Sequence, residues 1–341
     1  MPKNKKAFIT GITGQDGSYL TEYLLSLGYE IGGFLRSSST GHLGNVAHLK
    51  DEIRFFRGSL DDEGSIEQAI ATFEPDEIYN LGAEAAPFDS FKRPVYTSDI
   101  NALGPLRMFE AANRLRKRGK KEVKIYQAST SEMFGAPPEV PQTEKTPMLP
   151  NNPYGVAKLF AHYQARILRE GSEKLPIWCG ILFNHESPRR GMQYVTRKVT
   201  VAVACIRNKV KNPPLNELGM PIITKDFKLE LGNLDPKRDW GYAKEYVEVM
   251  HQMLQTDNPD DYIIATGETH SIRELVEVAF AHVGLNWQDH VIQHEGLLRP
   301  LETGPLCGNA AKAKEVLGWE AKVKFEELIK LMVDADLAKF S

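Results

Sequence analysis

The chain has 341 residues, enough for roughly two domains or one large α/β domain with an extension. Its net charge of −3 means that nothing in the balance points to nucleic acid or an anionic membrane. Apolar and charged fractions are ordinary for a globular protein, no apolar run approaches the ~20 residues that span a bilayer, and the basic Met1–Lys6 segment leads into a strand and glycines, not a signal peptide core.

Ala7-Phe8-Ile9-Thr10 reads as a buried strand. Gly11-Ile12-Thr13-Gly14-Gln15-Asp16-Gly17 follows at once, and Leu20, Tyr23, Leu24 and Leu27 then recur at helical spacing. Glycines at a strand-to-helix turn let backbone approach a pyrophosphate, and the helix N-terminus adds free N–H groups and partial positive charge. The spacing is Gly-x-x-Gly-x-x-Gly, and no Gly-x4-Gly-Lys-Ser/Thr run can be drawn, which excludes a P-loop. The second strand, Tyr29–Leu35, runs into Arg36, Ser37, Ser38 and Ser39. An NAD site usually places an acidic residue there; an arginine with hydroxyls suits a 2′-phosphate.

Further strands are expected at Ile53–Phe56, Glu77–Leu81, Val123–Ala128 and Ile177–Phe183, with helices near Ser18–Leu27, Glu63–Phe73, Val95–Arg116 and Tyr154–Arg169. About six alternating strands predict a doubly wound parallel α/β sheet of the Rossmann type. At the end of the fifth strand stands Ala128-Ser129-Thr130-Ser131-Glu132. The carboxyl ends of such strands border the ligand crevice, so a carboxylate there can move protons; the alternative is a helix cap. Tyr154 and Lys158 lie at i and i+4 after Asn152-Pro153, on one helix face. A lysine beside a phenol favours phenolate and lowers the tyrosine pKa, which lets it take a proton from an alcohol as hydride leaves carbon.

After Asn184 the rhythm changes. Ser187-Pro188-Arg189-Arg190-Gly191 is a polar break, and a helix is expected over Thr196–Arg207. Tyr262–Ala265 reads as a short strand, Ser271-Ile272-Arg273-Glu274 as a capping box before a helix from Leu275 to Val283, and Phe325–Leu337 as an amphipathic helix. The basic run Arg114–Lys121 reads as a solvated helix end, Trp240 and Tyr242 as packing, and His290 and His294 as surface histidines, since no zinc-protease glutamate accompanies them. No metal is expected. Cys179, Cys205 and Cys307 are few and far apart and read as reduced thiols of a cytoplasmic protein.

These motifs resemble the extended short-chain dehydrogenase/reductase family, and within it the GDP-mannose 4,6-dehydratases. The resemblance runs over nearly the whole chain. It is carried by Gly11–Leu20, Gln127–Glu132 and Pro153–Leu159, and most specifically by Ile181–Gly191, Gly232–Gly241 and Ile264–Ser271. It implies an NADP-binding Rossmann domain over 1–184 and about 235–266, and a smaller α/β substrate-binding domain over about 185–234 and 267–341. It implies NADP held by Gly11, Ile12, Thr13, Gly14, Gln15 and Asp16 and by Arg36, Ser37, Ser38 and Ser39. Ser59, Leu60, Leu81, Gly82, Ala83, Glu84, Ala85, Tyr96, Lys158, His185 and Arg190 complete the implied cofactor site. Asn184, Lys198, Arg238, Arg299 and Glu302 are implied for the substrate's diphosphate and guanine, and Thr130, Glu132, Tyr154 and Lys158 for catalysis. The implied reaction is C4 oxidation, elimination of water across C5 and C6, and hydride return to C6, in a homodimer or homotetramer.

There are departures. Relatives carry Gln-Ser-His where this chain has Glu84-Ala85-Ala86-Pro87; Ser37 stands for a second arginine, and Ser59 for the aspartate of Gly-Asp-Leu. The loop containing Ser37 carries tetramer contacts in relatives, and the segment before Arg299 is shorter here. The same chemistry on another GDP-sugar such as a GDP-heptose, or a nucleotide-sugar epimerase or reductase, is the near alternative. A non-catalytic NADP-sensing protein is the alternative of another class.

Overall fold

The computed structural model describes residues 4–37, 42–119, 121–215, 219, 221–297 and 304–341. Apolar runs alternate with amphipathic stretches, and the central strands they form are buried on both faces. β1 (Lys6–Thr10), β2 (Glu30–Arg36), β3 (Ile53–Gly58), β4 (Glu77–Asn80), β5 (Lys124–Thr130), β6 (Ile177–Leu182) and β7 (Asp261–Ile264) form one seven-stranded parallel sheet. Its order is β7-β6-β5-β4-β1-β2-β3, the doubly wound arrangement with one strand more than the six expected. The addition is the short strand read near Tyr262: Tyr262, Ile263 and Ile264 are buried, and β7 pairs with β6 from Asp261↔Cys179 to Ile264↔Leu182.

The principal helices are α1 (Gln15–Ser26), α2 (Glu63–Phe73), α3 (Gly104–Lys117), α4 (Pro153–Glu170), α5 (Val195–Arg207), α6 (Ala243–Leu254), α7 (Ile272–His282) and α8 (Phe325–Lys339). The single helix expected over Val95–Arg116 is divided: a short helix Pro94–Ser98, a π-helical turn Asp99–Leu103, then α3. Pro105 has no N–H for an i→i−4 bond, and the wider turn before it accommodates that loss.

One core packs α1 and α6 against the sheet through Leu20, Leu24, Tyr246 and Met250; the other face carries Ile66, Ile70, Met108 and Phe109. A separate core joins α5, α7 and α8 through Val199, Val203, Leu275, Phe280, Ile329 and Val333. Trp240 belongs to this second lobe and stacks on Phe325 at 5.8 Å, as the packing reading requires. Ala313 and Trp319, although late in the chain, join the first core. Asp239 is buried and accepts from Thr266 N (2.9 Å), Thr266 Oγ1 (2.7 Å) and Gly267 N (3.0 Å), which fixes the turn between the lobes' strands.

The capping box is present: Glu274 N donates to Ser271 Oγ at 3.1 Å and Ser271 N donates to Glu274 Oε2 at 2.9 Å. The basic run is neutralised by neighbours. Arg114 pairs with Glu63 and Glu67, Arg118 with Glu67, and Lys117 with Glu173. His294 follows the strand Val291–Gln293, so His290 and His294 share no helix face. No helix of the described residues is long and apolar enough to cross a membrane.

Candidate functional site

The turn after β1 is shaped by close backbone contact. Gly11 has φ +68°, and a Cβ there would lie 2.9 Å from Gly82 Cα. A Cβ on Gly17 would lie 2.4 Å from the Gly11 carbonyl oxygen, so α1 can start this close to β1 only with glycine. A Cβ on Gly14 would meet only Gly11 O, at 3.2 Å; its open side faces a crevice of about 450 Å³. Gly11, Thr13, Gly14, Gln15, Asp16, Arg36, Ser59, Leu60, Leu81, Gly82, Ala83, Ala85 and Arg190 line that crevice. They come from the carboxyl ends of β1–β4 and from the segment after β6.

Some expected residues stand elsewhere. The Ile12 side chain is fully buried in the core beneath the turn. The Glu84 carboxylate turns to Arg93, at 3.0 Å, and Tyr96 packs on the sheet's second core with the Arg93 guanidinium over its ring. Ser37 is exposed just beyond β2 and its N–H donates to Gly58 O at 3.0 Å. Ser38, Ser39, Arg299 and Glu302 lie outside the described residues. The crevice gains Arg189, Gly191, Gln193 and Tyr194, which local sequence did not single out as lining residues.

His185 sits behind the turn, its ring stacked on Tyr246 at 4.7 Å, and ties the turn to the segment after β6. Its Nδ1 faces Phe183 O at 2.7 Å and its Nε2 faces Asp16 Oδ2 at 2.9 Å. Both partners are acceptors, so the pairing favours the ring form that donates from both nitrogens, the imidazolium. Burial and the Arg190 charge oppose that state, but the charge of Asp16 and its hydrogen bond raise the His185 pKa. Burial would likewise raise Asp16; His185 and Gln15 hold its carboxyl below the ordinary value. Gln15 Nε2 donates to His185 O at 3.0 Å and Ser187 Oγ donates to Gln15 Oε1 at 2.7 Å.

Arg190 Nε, although 3.3 Å from Glu186 Oε2 in an ion pair, is buried without a hydrogen-bond acceptor, as is Gln193 Oε1 without a donor. A buried unmet donor and acceptor beside a glycine cradle fit a polar, phosphate-bearing ligand.

The second cluster forms where β5 meets α4. Thr130 caps the 3₁₀ turn Ser131–Met133, accepting from Glu132 N at 3.3 Å, so the capping role is real and turns Glu132 back over the strand end. Asn152 caps α4, accepting from Gly155 N at 2.8 Å, while its Nδ2 donates to Glu132 Oε2 at 2.9 Å. A Cβ on Gly155 would lie 2.6 Å from Glu132 O; this glycine lets the helix start touch the carboxylate's backbone. Asn152-Pro153 announces a helix start, but nothing local reveals that the same amide aims Glu132.

Tyr154 is buried beside them, its amide donating to Ser90 Oγ at 3.3 Å. Lys158 Nζ donates to Ala128 O at 2.9 Å and stands 5.9 Å from the Tyr154 ring centre. The expectation that lysine draws the phenol toward neutrality is corrected here. Burial dominates and pushes the Tyr154 pKa well up; Tyr194 and Glu132 add to it, and a Thr130 hydrogen bond and the Arg190 charge oppose it. Burial lowers Lys158 itself to about 8.

Asn184 opens a short strand, Asn184–Glu186, paired with Trp240–Tyr242. Lys198 Nζ donates to Glu230 O at 2.7 Å and burial lowers its pKa; Arg238 is buried, with Nη1 donating to Lys237 O at 2.7 Å. His162, Cys179 and Asp261 have ligand atoms within 4.8 Å of one another, but Arg169 already holds Asp261 with bonds of 2.8 and 3.1 Å. A fixed cation there makes this a buried polar cluster. All three cysteines are free thiols.

Residues 8–332 match the sequence profile of the family described as "GDP-mannose 4,6 dehydratase". The chain belongs to the GDP-mannose 4,6-dehydratase family. It is 45% identical to GDP-mannose 4,6 dehydratase 1 of Arabidopsis thaliana, over 98% of this chain and 90% of that one. It is 42% identical to the GDP-mannose 4,6 dehydratase of Homo sapiens, over 98% and 92%. Among solved structures it is similar to Thermus thermophilus UDP-glucose 4-epimerase in complex with NAD, with TM-score 0.78 and 26% identity over 97% and 98%. The family match spans both cores and covers the Asp16–His185 contact.

That contact has a defined pH signature. His185, raised above its ordinary 6.5, contributes fully below pH 6.5 and loses its contribution as pH rises through the raised value. Asp16, lowered from 3.8, contributes above pH 3.8 and loses it as pH falls through the lowered value. His185→Gln should therefore destabilise most between about pH 4 and 6.5, with a cost that shrinks in alkaline solution. Urea midpoints across pH measure this; a cost that grows from neutral to alkaline pH contradicts the pairing.

Proposed function

We propose that the protein dehydrates GDP-mannose to GDP-4-keto-6-deoxymannose with NADP as its nicotinamide cofactor. The observation that carries this reading is the meeting of Glu132, Tyr154, Thr130 and Lys158 at the end of β5, in a chain whose named relatives are GDP-mannose 4,6 dehydratases. Gly11, Thr13, Gly14 and Gln15 would hold the pyrophosphate at the α1 N-terminus, and Arg36 at the end of β2 the 2′-phosphate. Bound there, the nicotinamide supplies acceptance of hydride from C4 and its return to C6.

The chain's own residues manage protons. Tyr154 takes the O4 proton as the C4 ketone forms; Thr130 and Arg190 favour the phenolate against the burial that opposes it. The ketone acidifies the C5 proton. Glu132, aimed by Asn152, removes it and passes a proton to the departing C6 hydroxyl, so water leaves. With hydride returned to C6, C5 takes a proton from the site, the one Tyr154 removed from O4 balancing the count, and the sugar keeps its ketone. Asn184, Lys198, Arg238, Arg299 and Glu302 are proposed for the GDP end. Ala85-Ala86-Pro87 offers no side-chain hydrogen bond near the sugar, which favours, as a second reading, the same dehydration of a GDP-sugar altered at C6.

The protein is proposed to act as a homo-oligomer. Val156, Phe160, Tyr163 and Ile167 form an exposed apolar stripe along α4, and Val95, 82% exposed, stands on the short helix packed beside it. A second copy of the same face covers both stripes around a two-fold axis.

Three measurements test this reading. Tyr154→Phe should abolish nicotinamide reduction on mixing with GDP-mannose, whereas Glu132→Gln should reduce the cofactor yet release no dehydrated sugar. Near wild-type product from Glu132→Gln would show that another group is the acid–base residue. Arg36→Ala should weaken NADP binding roughly ten- to a hundredfold and leave NAD affinity unchanged; equal wild-type affinities for the two contradict the NADP assignment. By light scattering the wild type should be a dimer or larger and Phe160→Glu a monomer; a monomeric wild type rules the stripe out as an interface.

A further inference from the structure

Tyr194 has no role in the reaction above, yet it spans the mouth of the crevice. It stands just before α5, on the segment that carries Arg190, and its ring lies 3.7 Å from the Arg190 guanidinium. Its hydroxyl donates to the Ala85 carbonyl oxygen at 3.1 Å. Ala85 belongs to the loop after β4, on the other wall, and both residues line the crevice. The bond therefore joins an element of the sheet to the segment leading into the second lobe.

The chemistry of the two ends is specific. Ala85-Ala86-Pro87 carries no side-chain acceptor, so only backbone can answer the phenol. The ring is held by the cation beneath it, and that cation is itself held by Glu186. The bond is at the surface, where water competes for both partners, so it can open and re-form.

We propose that Tyr194 is a positioning residue that latches the crevice, closing it over bound NADP(H) when its bond to Ala85 is made and releasing it when the bond opens. This rests on the reading of the crevice as the NADP site. A reaction that returns its hydride gains nothing from exchanging the cofactor at each turnover, and the latch slows that exchange.

The test uses the full chain loaded with NADPH and chased with excess NADP⁺, with release followed by stopped-flow fluorescence. Tyr194→Phe keeps the ring and removes only the hydroxyl, and should release NADPH about two- to tenfold faster, the range one net hydrogen bond supplies. Tyr194→Leu also uncovers Arg190 and should release it faster still. Amide exchange at residues 192–195 and 84–86 should quicken in the phenylalanine variant. If the wild type binds NADPH and Tyr194→Phe releases it at the wild-type rate, the latch is overturned and the cofactor reading stands. If the wild type binds no NADPH, the cofactor reading fails and takes the latch with it.

Discussion

The arrangement depends on one charged hydrogen-bond relay, Phe183 O to His185 to Asp16. An acceptor at each ring nitrogen favours the doubly protonated histidine, and a buried imidazolium is stable only with its counter-ion in place. Asp16 opens α1, so the relay fixes the start of that helix to the segment after β6. Burial and the nearby Arg190 charge work against it, and the Asp16 carboxylate outweighs them. Arg189 strengthens the same join from outside, donating to Ser18 Oγ at 3.0 Å and to Glu22 Oε1 at 2.6 Å. Arg190, Gln193 and Tyr194 reach the crevice because their segment is anchored here.

The reactive end depends on a second economy of parts. Asn152 starts α4 with one atom of its amide and aims Glu132 with the other. The helix that Asn152 starts carries Tyr154 and Lys158, so the Glu132 carboxylate and the Tyr154 phenol are set by one residue. Dry surroundings keep the Tyr154 proton on the phenol and weaken the hold of Lys158 on its own. In the proposed reaction, proton transfer at C4 leans on Thr130 and Arg190, the two groups that favour the phenolate.

Local sequence revealed what depends on local spacing. The Gly11–Gly17 turn, the face shared by Tyr154 and Lys158, the Ser271–Glu274 capping box and the strand–helix alternation all follow from offsets of two to seven residues. The π-turn before Pro105 and the place of the Tyr262–Ala265 strand in the main sheet were less legible, because the first depends on how the helix absorbs a missing N–H and the second on which edge is left open for pairing. Glu84 and Tyr96 were placed in the crevice by resemblance, yet Arg93 draws both toward itself. Asn152 acting on Glu132 and Tyr194 meeting Ala85 join residues 20 and 109 positions apart, which no motif registers. The Tyr154 shift failed as an expectation because burial, invisible in sequence, dominates it.

The central claim is that this site removes water from GDP-mannose while returning its hydride within the sugar. It is tested most directly by incubating the full chain in deuterium oxide with GDP-mannose and a small fraction of an equivalent of NADP, then analysing the nucleotide sugar by mass spectrometry. Complete conversion is expected, to a product lighter by one water that carries one solvent deuterium, at C5, and no net NADPH. Conversion that stops at the amount of NADP supplied, or a product that has lost no water, contradicts the account.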